Sequence, residues 1–253
     1  MDTSTKIPYI SVCIPTYEMN GQGRGYLRDG LKVLSTQSFK NFDVIISDNS
    51  KDRQIELLCE EFKNNLAIKY IKNHHSFGIS ANLNNAIKNA NGKIIKILFQ
   101  DDYLYSNKSL EDIVTKFNLD KDFWMVTASE HTYDGLNCYR KFIPKFSERI
   151  LLGINTISSP SVLTIKNSNS NPIFDENLTW LMDCDYYYQL YLAYGCPVTL
   201  DEVNVVNRTG AHQVSNSIVT RAMKAAEFRY LGKKYANHLS IMSKLILFLK
   251  YFR

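Results

Sequence analysis

The sequence predicts an α/β protein with a Rossmann-like, doubly wound and mostly parallel sheet, followed by a less regular second half. Three observations carry this. Short apolar runs alternate with helix-period segments over the first hundred residues, the pattern of right-handed βαβ units. Three of those runs, ISVCIP (10–15), FDVIIS (42–47) and KIIKILF (93–99), are mainly apolar, as strands covered on both faces are. All three end on polar residues, and in an open parallel sheet ligands bind beyond the carboxyl ends of the strands.

In chain order, ISVCIP opens the sheet. GYLRDGLKVLSTQ (25–37) follows as a helix with Leu27, Leu31 and Leu34 along one face, the spacing of a 3.6-residue period. FDVIIS is the second strand, and DRQIELLCEEFKNN the helix after it. AIKYIK (67–72) alternates as a third strand does. FGISANLNNAIKNANG brings Ile79, Leu83 and Ile87 to one helix face and ends at Gly92, ahead of KIIKILF. Beyond position 105 the pattern loosens. WMVTAS (124–129), SPSVLTIK (159–166) and PVTLDEVNVVNR (197–208) read as strands. WLMDCDYYYQLYLAYG (180–195) reads as a helix closed by Gly195, and SIVTRAMKAAEFRYLGKKYAN as a long helix. No linker rich in Pro, Gly or Ser interrupts the chain, so residues 1–238 are expected to form one domain with halves at about 8–105 and 106–238.

Composition narrows the function. A formal charge of +5 suits phosphate-bearing substrates or an anionic membrane surface and is too small to indicate nucleic acid. The five cysteines are odd in number and form no C-x-x-C pair, which reads as reduced intracellular thiols rather than a disulfide framework or zinc site. The N-terminus shows no signal-peptide pattern, and no stretch reaches the ~18 apolar residues of a spanning helix. A cytoplasmic location is therefore expected. Residues 239–253 combine Leu, Ile and Phe with Lys244, Lys250 and Arg253. That is the composition of a basic amphipathic segment lying on a membrane; a terminal helix packed on the core or on a second copy fits the same residues.

The strand ends hold the candidate site. Thr16-Tyr17-Glu18, Asp48-Asn49-Ser50 and Gln100-Asp101-Asp102 follow three different strands, so the sheet brings them to one edge. Asp101 and Asp102 are adjacent carboxylates that repel each other, and Mg²⁺ or Mn²⁺ would relieve the conflict by taking one or two carboxylates together with a diphosphate; a turn or a cap for the next helix is the plain alternative. Asp48 suits the imide N–H of a uracil or thymine ring, or equally turn chemistry. GQGRG (21–25) matches neither the dinucleotide fingerprint nor a P-loop and reads as a flexible loop over the site. His74, His75 and His131 lack metal-ligand spacing. His212, in RTGAHQVSNS, is offered as a further metal ligand against a solvated loop histidine.

These motifs together resemble the family 2 inverting glycosyltransferases of the GT-A fold, over roughly residues 8 to 220. ISVCIPTYE looks like the family's opening strand with its Pro-Thr-Tyr-Asn/Glu ending, and VIISDNSKD like the strand with the base-binding Asp. GISANLNNAIKNANGKIIKILFQDD is similar to the helix and strand leading into the Asp-x-Asp-type metal motif. FDENLTWLMDCDYYYQLYLAYGCPV looks like the acceptor-side helix with its catalytic Asp.

The resemblance implies a nucleotide-sugar donor, a UDP-sugar by preference, a divalent metal cofactor and a saccharide or glycolipid acceptor. It places Pro15, Thr16, Tyr17 and Glu18 at the nucleotide, with Tyr17 near the uracil and Asp48 on its imide. It places Asp101 and Asp102 at the metal and ribose, and Asn84 near the nucleotide or sugar. Asp183 becomes the general base, with Asp185 as its neighbour and rival. Near a helix N-terminus the Asp183 pKa is expected at or below about 4. Two positions depart from the pattern: Gln100 stands at the first Asp of the acidic motif, and Leu83 where many relatives have Arg. The Q-x-x-R-W signature of processive synthases is absent, which favours single addition. A nucleotidyltransferase, or a non-catalytic nucleotide-sugar-binding module, is the alternative.

Overall fold

A computed structural model describes residues 7–74, 77–210, 213, 219–240 and 246. The sheet starts where the sequence places it. Strands β1 (Ile10–Thr16), β2 (Phe42–Asp48), β3 (Ile68–Lys72) and β4 (Ile94–Ile97) are separated by helices α1 (Gly23–Ser35), α2 (Gln54–Phe62) and α3 (Ile79–Lys88). All their pairings are parallel, in the order β3-β2-β1-β4.

Side chains on these strands alternate between two cores. Ile10, Val12 and Ile14 join Val44, Ile46 and Ile94 on the face covered by Leu27, Leu31 and Leu34 of α1 and by Ile55 and Leu58 of α2. Cys13, Ile45, Ile95 and Ile97 face the other way, against Leu83 and Ala86 of α3. The period of two on the strands thus meets helices on both sides, which is why the runs read as continuously apolar.

The second half extends the same sheet. β5 (Tyr103–Leu104), α4 (Ser109–Lys116), β6 (Trp124–Thr132), β7 (Cys138–Phe142) and β8 (Leu163–Lys166) are followed by α5 (Met182–Tyr194), β9 (Val198–Arg208) and α6 (Arg221–Lys234). The order continues β4-β8-β6-β9-β5, with β7 paired to β6. β8 is antiparallel to both β4 and β6, so β6 runs parallel to β1–β4, and β9 is parallel to β6. The carboxyl end of β9 and the amino end of β8 therefore lie on the same sheet edge as the ends of β1, β2 and β4. Tyr186, Tyr187 and Leu190 of α5 and Phe228 and Leu231 of α6 fill the core on the α3 side.

α4 and β7 lie in the part of the chain where the sequence pattern loosens and no element is expected at either place. Leu110, Ile113 and Phe117 are buried at helical spacing, but the helix is only 8 residues long. Among the described residues no helix is long and apolar enough to cross a membrane. His75, His212 and nearly all of residues 241–253 lie outside the described residues.

Candidate active site

The sheet edge opens into a cavity of about 440 Å³. Its floor is made by the ends of β1 and β4, which contribute Pro15, Tyr17, Glu18, Gln100, Asp101 and Asp102. Ser159 and Pro160 enter ahead of β8, and Asn207 and Arg208 from the end of β9. Trp180, Met182 and Asp183, from the start of α5, complete the wall.

Gln100 explains its own departure from the acidic pattern. Its Nε2 donates to the Tyr17 carbonyl at 2.9 Å and its Oε1 accepts the Tyr17 N–H at 2.9 Å, so the amide pins β1's terminal turn to β4. A carboxylate could accept there but not donate. GQGRG is likewise fixed rather than loose: Met19–Gly21 is a 3-10 turn and Gly23 opens α1. A Cβ on Gly23 would lie 2.3 Å from the Tyr17 carbonyl oxygen, so only glycine lets the helix start this close to the site. This corrects the flexible-loop reading.

Asp102 is buried and well held. Its Oδ1 accepts the Arg208 N–H at 2.9 Å, and its Oδ2 accepts Asn207 Nδ2 at 2.8 Å and Ser159 Oγ at 3.2 Å. Even so, burial and then the neighbouring Asp101 charge push its pKa up to about 7. Two adjacent carboxylates in one cavity are an oxygen donor set that fits a hard divalent cation, provided diphosphate oxygens complete the shell. Among the described residues no third His, Cys, Asp or Glu joins them, and His212 lies outside that set.

Asp183 sits in the first turn of α5. Its Oδ2 accepts Asn155 Nδ2 at 2.6 Å and its Oδ1 accepts the Cys184 N–H at 2.7 Å. Burial nevertheless raises its pKa to about 6. The expectation of a value at or below the ordinary one is therefore corrected: desolvation outweighs the helix-end hydrogen bonds.

Asp185, two residues on, is a different kind of group. It is fully buried, and its carboxylate accepts Tyr235 Oη at 2.7 Å, Gln189 Nε2 at 2.7 Å and Lys234 Nζ at 3.0 Å. It ties α5 to α6 and does not line the cavity. Asp185→Asn is expected to lower stability by about 1–3 kcal/mol and to leave the turnover of folded protein unchanged; thermal melts beside a rate assay check this.

Three expected residues stand behind the wall. Thr16 bonds the Ser47 carbonyl and Asp48. Asp48 is fully buried and accepts Ser50 N at 2.8 Å, Tyr70 Oη at 2.8 Å and Lys72 Nζ at 3.1 Å, while its neighbour Asn49 reaches the cavity. Asn84 exchanges bonds of 2.8 and 2.9 Å with the backbone of Phe174 and so positions the segment before α5. From the same helix it is Asn82 that reaches the cavity. Asn207 and Arg208 are cavity residues without a motif of their own in the sequence; their one signal is that they end the strand PVTLDEVNVVNR.

The family model described as Glycosyl transferase family 2 matches residues 11–163. An uncharacterized glycosyltransferase of Rickettsia prowazekii is 26% identical over 230 residues, covering 85% of this chain and 68% of its own length. The GalNAc(5)-diNAcBac-PP-undecaprenol beta-1,3-glucosyltransferase of Campylobacter jejuni is 31% identical over 114 residues, 44% of this chain and 35% of that protein. Among solved structures, S. aureus TarS 1-349 in complex with UDP-GlcNAc superposes with a TM-score of 0.68 at 18% identity, over 96% of this chain and 71% of that one. The mannosyltransferase PcManGT from Pyrobaculum calidifontis, in complex with GDP-Man and Mn²⁺, gives 0.62 at 15% identity, over 98% and 70%. With the family model spanning more than half the chain and the sheet shared with those structures, the protein belongs to glycosyl transferase family 2 and is a glycosyltransferase of the GT-A fold.

Proposed function

We propose that this glycosyltransferase moves a sugar from a UDP-sugar to a hydroxyl of a saccharide or glycolipid acceptor, inverting the anomeric carbon in one displacement. The observation that carries the reading is the division of one cavity. Adjacent carboxylates lie at the β4 end, and a separate carboxylate with a raised pKa lies at the α5 end.

On this reading Tyr17 and Asn49 flank the nucleotide, and Asp101 and Asp102 are the residues that would hold a divalent cation, which when bound would supply positive charge to offset the negative charge growing on the leaving group. Asp183 takes the proton from the acceptor hydroxyl as the oxygen forms its bond to the anomeric carbon. The bond from that carbon to the diphosphate breaks, and UDP leaves with the electron pair. A base with a pKa near 6 is ionised at neutral pH yet more basic than an ordinary carboxylate.

TarS bound to UDP-GlcNAc and the undecaprenol-linked acceptor in the name of the Campylobacter relative support a nucleotide-sugar donor and a glycolipid acceptor. A role in surface polysaccharide assembly, and peripheral membrane contact through residues 239–253, belong to the same reading.

The test is a screen of UDP-, GDP- and dTDP-sugars with Mg²⁺ or Mn²⁺, following nucleoside diphosphate release. Metal-stimulated release from a UDP-sugar is expected. Pyrophosphate release from a nucleoside triphosphate and a sugar phosphate would instead mark a nucleotidyltransferase, and binding of UDP-sugars without turnover a non-catalytic module.

A further inference from the structure

We propose that Trp180 is the platform on which the acceptor's sugar ring rests, and that one face of α6 is built to hold it there. The proposal rests on the transferase reading of the cavity. Trp180 is in the cavity wall three residues ahead of Asp183, so a ring packed on it lies beside the base. Tyr17 and Phe99 enter the same cavity from the ends of β1 and β4, the side given to the donor.

Three α6 residues at one-turn spacing converge on this tryptophan. Lys224 Nζ lies 4.7 Å from the centre of the indole. The buried Glu227 carboxylate accepts the Trp180 N–H at 3.1 Å and those of Thr179 and Leu181 at 2.9 and 2.8 Å. The Phe228 ring meets the indole at 87° with centroids 5.4 Å apart. Positions i, i+3 and i+4 share a helix face, so one helix fixes both the backbone and the ring of Trp180.

A carboxylate spent on three N–H groups of a single turn is strong, charge-assisted holding. The indole it holds is still only partly buried. A rigid aromatic group left open to a cavity suits a sugar: the indole face is the negative part of its quadrupole, and the apolar face of a pyranose presents weakly positive C–H groups. Rigidity also lowers the entropy lost on binding.

The test measures transfer by the purified full chain from the donor it hydrolyses to aryl glycosides of glucose, galactose, N-acetylglucosamine and N-acetylgalactosamine. UDP affinity is measured alongside. In Trp180→Ala the acceptor KM is expected to rise about tenfold or more, with a smaller change in kcat and unaltered UDP affinity. Trp180→Phe recovers much of the loss because it keeps an aromatic face. Glu227→Gln, which keeps an acceptor oxygen for the turn, stays closer to the native acceptor KM than Glu227→Ala. If Trp180→Ala does not fold, Trp180→Leu, which fills the space without a π-face, is read the same way. An unchanged acceptor KM in these Trp180 variants overturns the platform and leaves the transferase reading intact. Donor hydrolysis with transfer to none of the glycosides overturns the platform and spares the donor site, whereas absence of both hydrolysis and transfer overturns the transferase reading itself.

Discussion

Asp183→Asn is expected to fold, to bind UDP as the native protein does, and to transfer sugar slower by a factor of about 10² or more. Asn keeps the shape and an oxygen for the Cys184 N–H, so the first turn of α5 stays formed, but it cannot take a proton at neutral pH. In the native protein, the rate should rise with pH through about 6, because burial holds the Asp183 pKa there and only the ionised form is a base. The folded state therefore binds this proton more readily than the unfolded chain, whose Asp titrates near 4. The corresponding contribution to stability is complete below about 4 and is lost as pH rises through about 6. The melting temperature of Asp183→Asn relative to the native protein should accordingly rise from pH 4 to pH 8, on top of a pH-independent cost from turning an N–H₂ toward Asn155 Nδ2. Steady-state rates across that range, with thermal melts, give both readouts. Normal turnover in Asp183→Asn would sink the base assignment. Since Asp185 is consumed by Lys234, Tyr235 and Gln189, it offers no replacement.

Excess chelator is expected to abolish transfer, and Mg²⁺ or Mn²⁺ to restore it. Asp101→Asn and Asp102→Asn should each cost about 10²–10³-fold in rate, the range for losing one group that stabilises developing negative charge, here by weakening the hold on the cation that would supply it. Asn is the informative substitution at position 102. Asp102→Ala would strip acceptors from the Arg208 N–H, Asn207 and Ser159 together and confound catalysis with folding. Asp102→Asn also removes a charge that burial and Asp101 disfavour, but with its oxygen on the Arg208 N–H it turns an N–H₂ toward the donating Asn207 Nδ2. Thermal melts of the metal-free variant are therefore needed beside the rates to separate the lost bond from the lost charge. Full activity of purified protein in chelator would defeat the metal assignment and with it the role given to both carboxylates.

The fold is legible in the sequence where a pattern is local and burial is two-sided. Ile10, Val12 and Ile14 alternate with Cys13 between two cores, and the resulting apolar run is visible without knowing its partners. The polar ends of β1 and β4 then fell into place, because parallel strands put their carboxyl ends on one edge. The short α4 and the exposed β7 gave weaker signals: one offers barely two turns, the other only one half-buried residue, Phe142.

What the sequence by itself determined is the parallel half of the sheet, the edge on which the cavity opens, and Tyr17, Asp101, Asp102 and Asp183 among the residues that line it. Only the tertiary structure decided what surrounds each carboxylate. Asp48 and Asp183 look alike as acidic residues beside an element's end. One is enclosed by Tyr70 and Lys72 from a neighbouring strand, and the other is left on a cavity wall with Asn155 as its side-chain partner. Asp183 and Asp185 stand two positions apart, yet α6 claims the second and leaves the first. The reason is physical: periodicity records which face of an element is buried, whereas protonation and accessibility depend on groups brought in from distant sequence. Asn207 and Arg208, which reach Asp102 from 105 and 106 positions away, became its partners only when β9 took its place in the sheet.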